Sequence, residues 1–339
     1  MNSRERVIRT LEFKNPDKIP IELWLHTATS LKYGRKLTVI LERYPQDIVR
    51  ITGPTDVSFY PESTMVGEHK DIWGSKWLVL QEGMLGEMKI PAIYNISKVS
   101  GYEMPYETLK KQWTEKECEI DKKIQQGKSK NQFIVGGEIH LFEKMQSLRG
   151  SENLFYDLGL HVGGVKILID KLVKYYIEYL ENYWFYKDID AIMFYDDWGS
   201  QKSLLISPDM WRKIFKPAYE RLFEIVKKAG KYIFFHSCGY ILELYDEFIE
   251  LGVNAINSQV WCMGIENVAR KCTGKITLWG EIDRQRTLAF GTPQDIYKAA
   301  AIMKEKFFLN GGGLIGQSLA GKDVTLENIE ALLKCWNVK

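Results

Sequence analysis

The chain has 339 residues, 45% of them hydrophobic, and a formal net charge of +2. That is ample for a large core, and a balance this near neutral excludes nucleic acid or an anionic membrane surface as a partner recognised by bulk charge. Five scattered cysteines make no disulfide framework, no apolar run reaches the ~18 residues of a spanning helix, and the charged start Met1-Asn2-Ser3-Arg4-Glu5-Arg6 is no secretion signal. The expectation is one soluble domain over residues 1–339 in a reducing, cytoplasmic compartment.

Ser3 to Phe13 carries a capping residue and apolar positions at Val7, Ile8 and Leu11, the pattern of an amphipathic helix. Asn15-Pro16-Asp17 ends it, Ile19 to Leu25 reads as a strand, Thr29 to Tyr44 as helix, and Asp56 to Tyr60 as a second strand. Between Asp71 and Val99 the rhythm changes: Ile72–Leu80 and Gly86–Ile90 flank Gln81-Glu82-Gly83, which predicts a small antiparallel insertion. A charged helix follows over Glu107–Gly127, with its charges on a solvated face.

Short apolar strands then alternate with helical segments. They begin at Phe133, Ala191, Tyr232, Ala255, Ile276 and Gly313, and the last is read as ending at Gly316. Ser207-Pro208 opens one of the intervening helices, serine as cap and proline at the first position. Eight strands separated by helices imply parallel βαβ units closing into a (β/α)8 TIM-type barrel, an α/β fold; a doubly wound sheet ranks second. No glycine-rich phosphate loop follows any strand. The aromatic stripe Tyr175, Tyr176, Tyr179, Tyr183, Trp184, Phe185 and Tyr186 suits helix-on-barrel core or a subunit interface better than a cofactor platform.

Polar and ionisable residues gather where the strands stop: His26, Tyr60, Glu138, Asp196, Asp197, His236, Cys238, Gln259, Glu281, Asp283, Gln317 and Ser318. Barrel enzymes keep their active sites at that end. His236 and Cys238 sit two apart at the end of the run Tyr232-Ile233-Phe234-Phe235, so both face one side, as half a zinc site would require. A hydrogen-bonded histidine beside a buried cysteine is the plainer alternative. Asp196 or Asp197 could orient His236 or contact substrate, or one could cap the loop before Gly199; with Glu281 they are the catalytic candidates. Glu138, after Gly136-Gly137, is a further candidate ligand. His26, Tyr60, Gln259, Asp283 and Gln317 are candidates for substrate contact.

Taken in order, Ser3-Arg4-Glu5-Arg6-Val7 through Ile19-Pro20, Asp196-Asp197-Trp198-Gly199, Ile206-Ser207-Pro208, His236-Ser237-Cys238-Gly239, Trp279-Gly280-Glu281-Ile282-Asp283 and Gly291-Thr292-Pro293 resemble the uroporphyrinogen decarboxylase superfamily. The resemblance implies a distorted (β/α)8 barrel. Decarboxylases proper carry an arginine-rich signature after the first strand; Leu25-His26-Thr27-Ala28-Thr29-Ser30 here has none. The chain is more similar to the corrinoid-dependent methyltransferase branch, which includes methylcobamide:coenzyme M methyltransferases and O-demethylase components. That resemblance implies zinc on His236 and Cys238, a third cysteine near Gln317-Ser318 where this chain has Ser318, and a corrinoid on a separate carrier protein. Glu138, Glu281, Gln317 or Cys262 could complete the metal site. It also implies a homodimer and methyl transfer to a small thiol or from a methoxylated substrate. A cofactor-free decarboxylase and a non-catalytic small-molecule-binding barrel are the alternatives.

Overall fold

The computed structural model describes residues 1–54, 65–84, 86–309 and 311–336. Its strands are β1 (Ile21–Leu25), β2 (Ile48–Ile51), β3 (Gly67–Lys70), β4 (Lys76–Val79), β5 (Glu87–Ile90), β6 (Phe133–Ile139), β7 (Ala191–Tyr195), β8 (Tyr232–Ser237), β9 (Ala255–Ser258), β10 (Thr277–Trp279) and β11 (Leu314–Ala320). Eight of them form one sheet in the order β1-β11-β10-β9-β8-β7-β6-β2, and every pairing in it is parallel.

The ends of that sheet meet at β1 and β2. The Asp47 N–H donates to the Ile21 carbonyl at 3.0 Å. The Asp47 carboxylate accepts from the Ile21 N–H at 2.9 Å, and the Gln46 amide oxygen accepts from the Leu23 N–H at 2.6 Å. Side chains therefore take over where backbone pairing thins, and the sheet closes as a (β/α)8 barrel rather than a doubly wound layer. Asp47 also pairs with Arg6, whose guanidinium reaches Asp17 at 2.6 Å. This ties the helix Ser3–Leu11 across one end of the barrel, where Val7 and Leu11 join the interior cluster.

Alternation sorts each strand into two faces. Trp24, Ile48, Phe133, Val135, Ala191, Met193, Phe234, Ala255, Trp279 and Ile315 fill the interior. Their sequence neighbours, such as Val49, Ile134, Ile192, Phe235, Ile256 and Leu278, pack under the helices. Trp279 and Phe234 meet edge-on, centroids 4.8 Å apart; each aromatic so enclosed contributes about 1.5–3 kcal/mol of burial. Tyr175, Tyr176, Tyr179 and Trp184 are fully buried and pack as barrel core, whereas Tyr183 and Phe185 are half-buried and Tyr186 is exposed.

Three element bounds differ from expectation, and one expected strand lies outside the described residues. The helix expected over 29–44 is two helices, Thr27–Tyr33 and Arg35–Arg43, broken at Gly34 with φ 47°. The predicted strand 56–60, with Tyr60, lies outside the described residues; the barrel's second strand is β2, a four-residue element whose Arg50 disguises it. The insertion is antiparallel as expected, a three-stranded sheet β3-β4-β5, but its first strand lies elsewhere. Residues 72–74, expected in its first strand, form the turn before β4, and polar β3 precedes them. Finally, β11 runs to Ala320, because Gln317, Ser318 and Leu319 pair with Glu22, Leu23 and Trp24. Among the described residues no helix is long and apolar enough to cross a membrane.

Candidate active site

At the strands' C-terminal ends the same alternation decides which polar side chains share the mouth. On β8 Phe234 is interior, so His236 and then Cys238 project inward together. On β7 the interior residues Ala191, Met193 and Tyr195 lead to Asp197. Asp197 Oδ1 accepts from the Cys238 N–H at 2.7 Å and lies 3.5 Å from His236 Nε2. Cys238 Sγ is 3.4 Å from that nitrogen. One ligand atom from each of the three residues falls within 4.8 Å of the others.

The two loops carrying them are locked backbone to backbone. The Gly199 N–H donates to the Cys238 carbonyl at 3.2 Å and the Tyr240 N–H to the Ser200 carbonyl at 2.7 Å. Gly239 has φ +81°, and an added Cβ would run into the Gly199 carbonyl; only glycine lets the loops approach this closely. The Gln259 side-chain oxygen accepts from the Gly239 N–H at 2.7 Å, so Gln259 braces the loop rather than lining open space.

Asp196 is turned the other way. Its carboxylate accepts from the N–H groups of Leu141 and Glu143 at 2.9 and 2.8 Å and from the Tyr219 hydroxyl at 2.5 Å. It caps the helix Phe142–Arg149 from beneath the helix layer, and burial pushes its pKa up. It does not share the mouth with Asp197, because the alternation of β7 carries on into the two residues just past its end.

Glu138 reaches the interior through a bulge. The β6–β7 register shifts between Gly136 and Glu138. Gly136 and Gly137 both face outward, against Trp184 and Ile192 respectively, with Gly137 at φ +66°. One extra residue re-aims Glu138 and His140 inward. His140 stacks on Tyr195 at 4.9 Å, and its Nδ1 meets Glu143 at 2.7 Å; burial lowers its pKa to about 4. Glu138 stands apart from the Asp197–His236–Cys238 group.

Ser318 shares its face of β11 with Gly316 and Ala320, the face under the helices. Its hydroxyl donates to the Gln317 carbonyl at 2.7 Å, so the position expected to supply a third ligand points out of the mouth. Gln317 is inward and fully buried. Glu281 is buried without a side-chain hydrogen bond among the described residues; burial raises its pKa to about 7, with Arg284 opposing and Asp283 adding. Asp283 is a turn cap, accepting from the N–H groups of Gln285 and Arg286 at 2.9 and 3.2 Å. His26, at the rim after β1, has its pKa lowered by burial and by Arg284.

Sequence reasoning missed three participants. Arg284 donates to Cys238 Sγ at 2.8 Å. Burial pushes the Cys238 thiol up and Arg284 opposes it. Asn257 Oδ1 lies 2.5 Å from His236 Nδ1. Arg50 pairs with buried Glu22 at 3.2 Å, donates to the Tyr195 hydroxyl at 2.6 Å and lies 4.2 Å over the Trp24 ring. Trp24, 5.5 Å from the His236 ring and 5.0 Å from Trp279, makes an aromatic floor below the histidine.

The donor set fits zinc by type, and the two separations from His236 fit it by spacing. Bonds of about 2.0–2.3 Å to nitrogen, oxygen and sulfur in a tetrahedron put neighbouring ligand atoms about 3.4–3.6 Å apart. The 3.4 Å and 3.5 Å separations from His236 Nε2 match that edge.

The sequence pattern of the uroporphyrinogen decarboxylase (URO-D) family matches residues 134–336. A methyltransferase from Methanosarcina mazei has the same fold at TM-score 0.72 and 15% identity, over 99% of this chain and 98% of its own. A C-terminal domain assigned to a chitinase from Desulfitobacterium hafniense DCB-2 matches at TM-score 0.46 and 11% identity, over 94% and 98%. An intracellular xylanase from Thermoanaerobacterium saccharolyticum matches at 0.37 and 14%, over 91% and 86%. No protein of curated function matches the sequence.

Proposed function

The chain belongs to the uroporphyrinogen decarboxylase family, and from that premise we propose that it is a zinc-dependent enzyme moving a methyl group between a corrinoid, carried on a partner protein, and a small thiol or methoxylated substrate. The observation that carries this reading is the spacing of Asp197, His236 and Cys238. His236 Nε2, Cys238 Sγ and an Asp197 oxygen would hold the metal, with the carboxylate in place of a second thiolate. Zinc so bound supplies a Lewis acid that lowers the pKa of a coordinated thiol by several units, or polarises an ether oxygen.

The chain's own residues prepare that site. Asp197 is pre-aimed by the Cys238 N–H, so little rotamer freedom remains to be lost on binding. Arg284, donating to Sγ, favours the deprotonated form that a ligand cysteine must adopt. Glu281, with a pKa of about 7, can take up the proton released by an incoming thiol near neutral pH. The floor of Trp24, Tyr195 and Trp279 keeps water from below, which strengthens every charge interaction above it.

The decarboxylase alternative asks for several guanidinium groups to meet a polycarboxylate. Arg50 is already engaged by Glu22 and Tyr195, and Arg284, on Cys238, is by itself a thin complement for such a substrate. The test is a spectroscopic assay of methylcobalamin demethylation against a panel of small thiols, with zinc-loaded protein. Turnover that disappears in Cys238→Ala supports the proposal. No demethylation or reverse methylation with any thiol or methyl ether, together with release of CO2 from uroporphyrinogen, would overturn it.

A further inference from the structure

We propose that Asn257 is a positioning residue: it fixes the proton of neutral His236 on Nδ1 and so leaves Nε2 as the bare lone pair facing Cys238 and Asp197. The metal consequence rests on the function proposed above; the tautomer does not.

The two ends of an asparagine amide look alike in shape, so its orientation must come from its partners. One contact of Asn257 is the Trp279 backbone carbonyl, which can only accept. The atom facing it is therefore Nδ2. The second Nδ2 hydrogen goes to Gln317 Oε1 at 2.8 Å, which fills the donor capacity of that nitrogen. Oδ1 is left facing His236 Nδ1 at 2.5 Å. An amide oxygen can only accept, so Nδ1 must carry the hydrogen. A neutral imidazole has one N–H, and Nε2 is left bare. It points at Cys238 Sγ, 3.4 Å away, and Asp197 Oδ1, 3.5 Å away.

Two further features show that the fold makes room for this relay. Gly280 has φ +122°, and a Cβ there would collide with Asn257 Nδ2 and Gln317 Oε1. Among the described residues Gln317 Nε2 is buried with no hydrogen-bond partner, so the Gln317 amide presents its oxygen to Asn257 while its own donors find none there. The relay crosses β8, β9, β10 and β11, and it sets the one property that a histidine ligand needs. Ligand histidines are commonly oriented by an acceptor on the far nitrogen; here that acceptor is a neutral amide.

The test is two-bond proton–nitrogen correlation NMR on metal-free protein labelled with 15N-histidine, at a pH where His236 is neutral. Its signals are assigned by their loss in His236→Ala. The expected wild-type spectrum shows Nδ1 protonated and Nε2 pyridine-like. Asn257→Leu, which has no acceptor, shifts the ring toward the Nε2–H form favoured in water; Asn257→Asp, which keeps an acceptor, retains Nδ1–H. Zinc affinity, measured by competition with a chelator, then falls about 10–100-fold in the Leu variant and is kept in the Asp variant. A wild-type ring protonated on Nε2, or an Asn257→Leu spectrum unchanged from wild type, overturns the inference. The wild-type and Asp spectra decide the matter even where the Leu variant does not fold. Wild-type protein with the Nδ1–H signature but no zinc uptake would refute the metal function while upholding the role of Asn257.

Discussion

Asp196 and Asp197 are neighbours in sequence and serve opposite sides of the barrel wall. Asp196 binds two helix N–H groups and the Tyr219 hydroxyl beneath the helix layer, whereas Asp197 lies beside His236 and Cys238 in the mouth. Substituting them should separate stability from function. Asp196→Ala strands three buried donors and should cost about 3 kcal/mol in urea unfolding. Asp197→Asn should stay within about 1 kcal/mol of wild type while lowering zinc affinity at least about tenfold. Equal stability losses at the two positions would contradict this division.

The Arg50–Glu22 pair is a second testable feature. Glu22 is buried, and apart from Arg50 its side chain meets the Trp279 indole N–H at 2.8 Å. Arg50→Met leaves that carboxyl without its counter-charge, and an expected loss of about 3 kcal/mol in unfolding free energy follows. The double variant Glu22→Leu/Arg50→Met should regain most of it, because no unpaired charge remains. A double variant as unstable as the sum of the singles would show that the two groups are not coupled.

Glu281 makes metal-free stability depend on pH. Its pKa is raised from 4.5 to about 7 by burial. Below pH 4.5 both folded and unfolded forms carry the proton, so the group has no effect. Between 4.5 and 7 the unfolded chain ionises while the folded one stays protonated, and stability falls as pH rises, by about 3 kcal/mol in all. Glu281→Gln should flatten that segment of the stability profile. An unchanged slope in the variant would place the titration elsewhere.

Arg284 should be visible in the reactivity of Cys238. Burial raises the thiol pKa and the guanidinium restrains it. In metal-free Arg284→Met the thiolate fraction drops, and alkylation of Cys238 by iodoacetamide at pH 8 should slow by about tenfold for each unit the pKa rises. Equal rates would mean that the guanidinium does not reach the sulfur in solution.

Much of this architecture was legible in the sequence because β6, β7, β8 and β10 are short, largely apolar runs with ionisable residues at their ends. Alternation alone placed His236 and Cys238 on one face. Elements with a mixed code were harder to see. The strand β2 is four residues long with a central arginine, so Arg50 went unnoticed with it, and β3 is wholly polar. The adjacent Gly136 and Gly137 carry the signal of a bulge within a strand; reading them that way gives the inward aim of Glu138 and His140. Taking β11 to end at Gly316 hid the outward face of Ser318. Asn257 was recoverable, since it lies two residues before Gln259 on a strand whose Ala255 is interior. Arg284 was recoverable only in part: its position just past Glu281 and Asp283 is visible, but its reach to Cys238 depends on how the loops after β8 and β10 fold toward each other, and no local pattern encodes that.

X-ray absorption at the zinc edge of the zinc-loaded protein tests the central claim most directly. The account predicts one bound zinc with a single sulfur near 2.3 Å and nitrogen or oxygen ligands near 2.0–2.1 Å; the sulfur shell should vanish in Cys238→Ala, and the light-atom shell should change in Asp197→Ala. Absence of stoichiometric zinc, or a spectrum with no sulfur ligand that is indifferent to His236→Ala and Cys238→Ala, would contradict it.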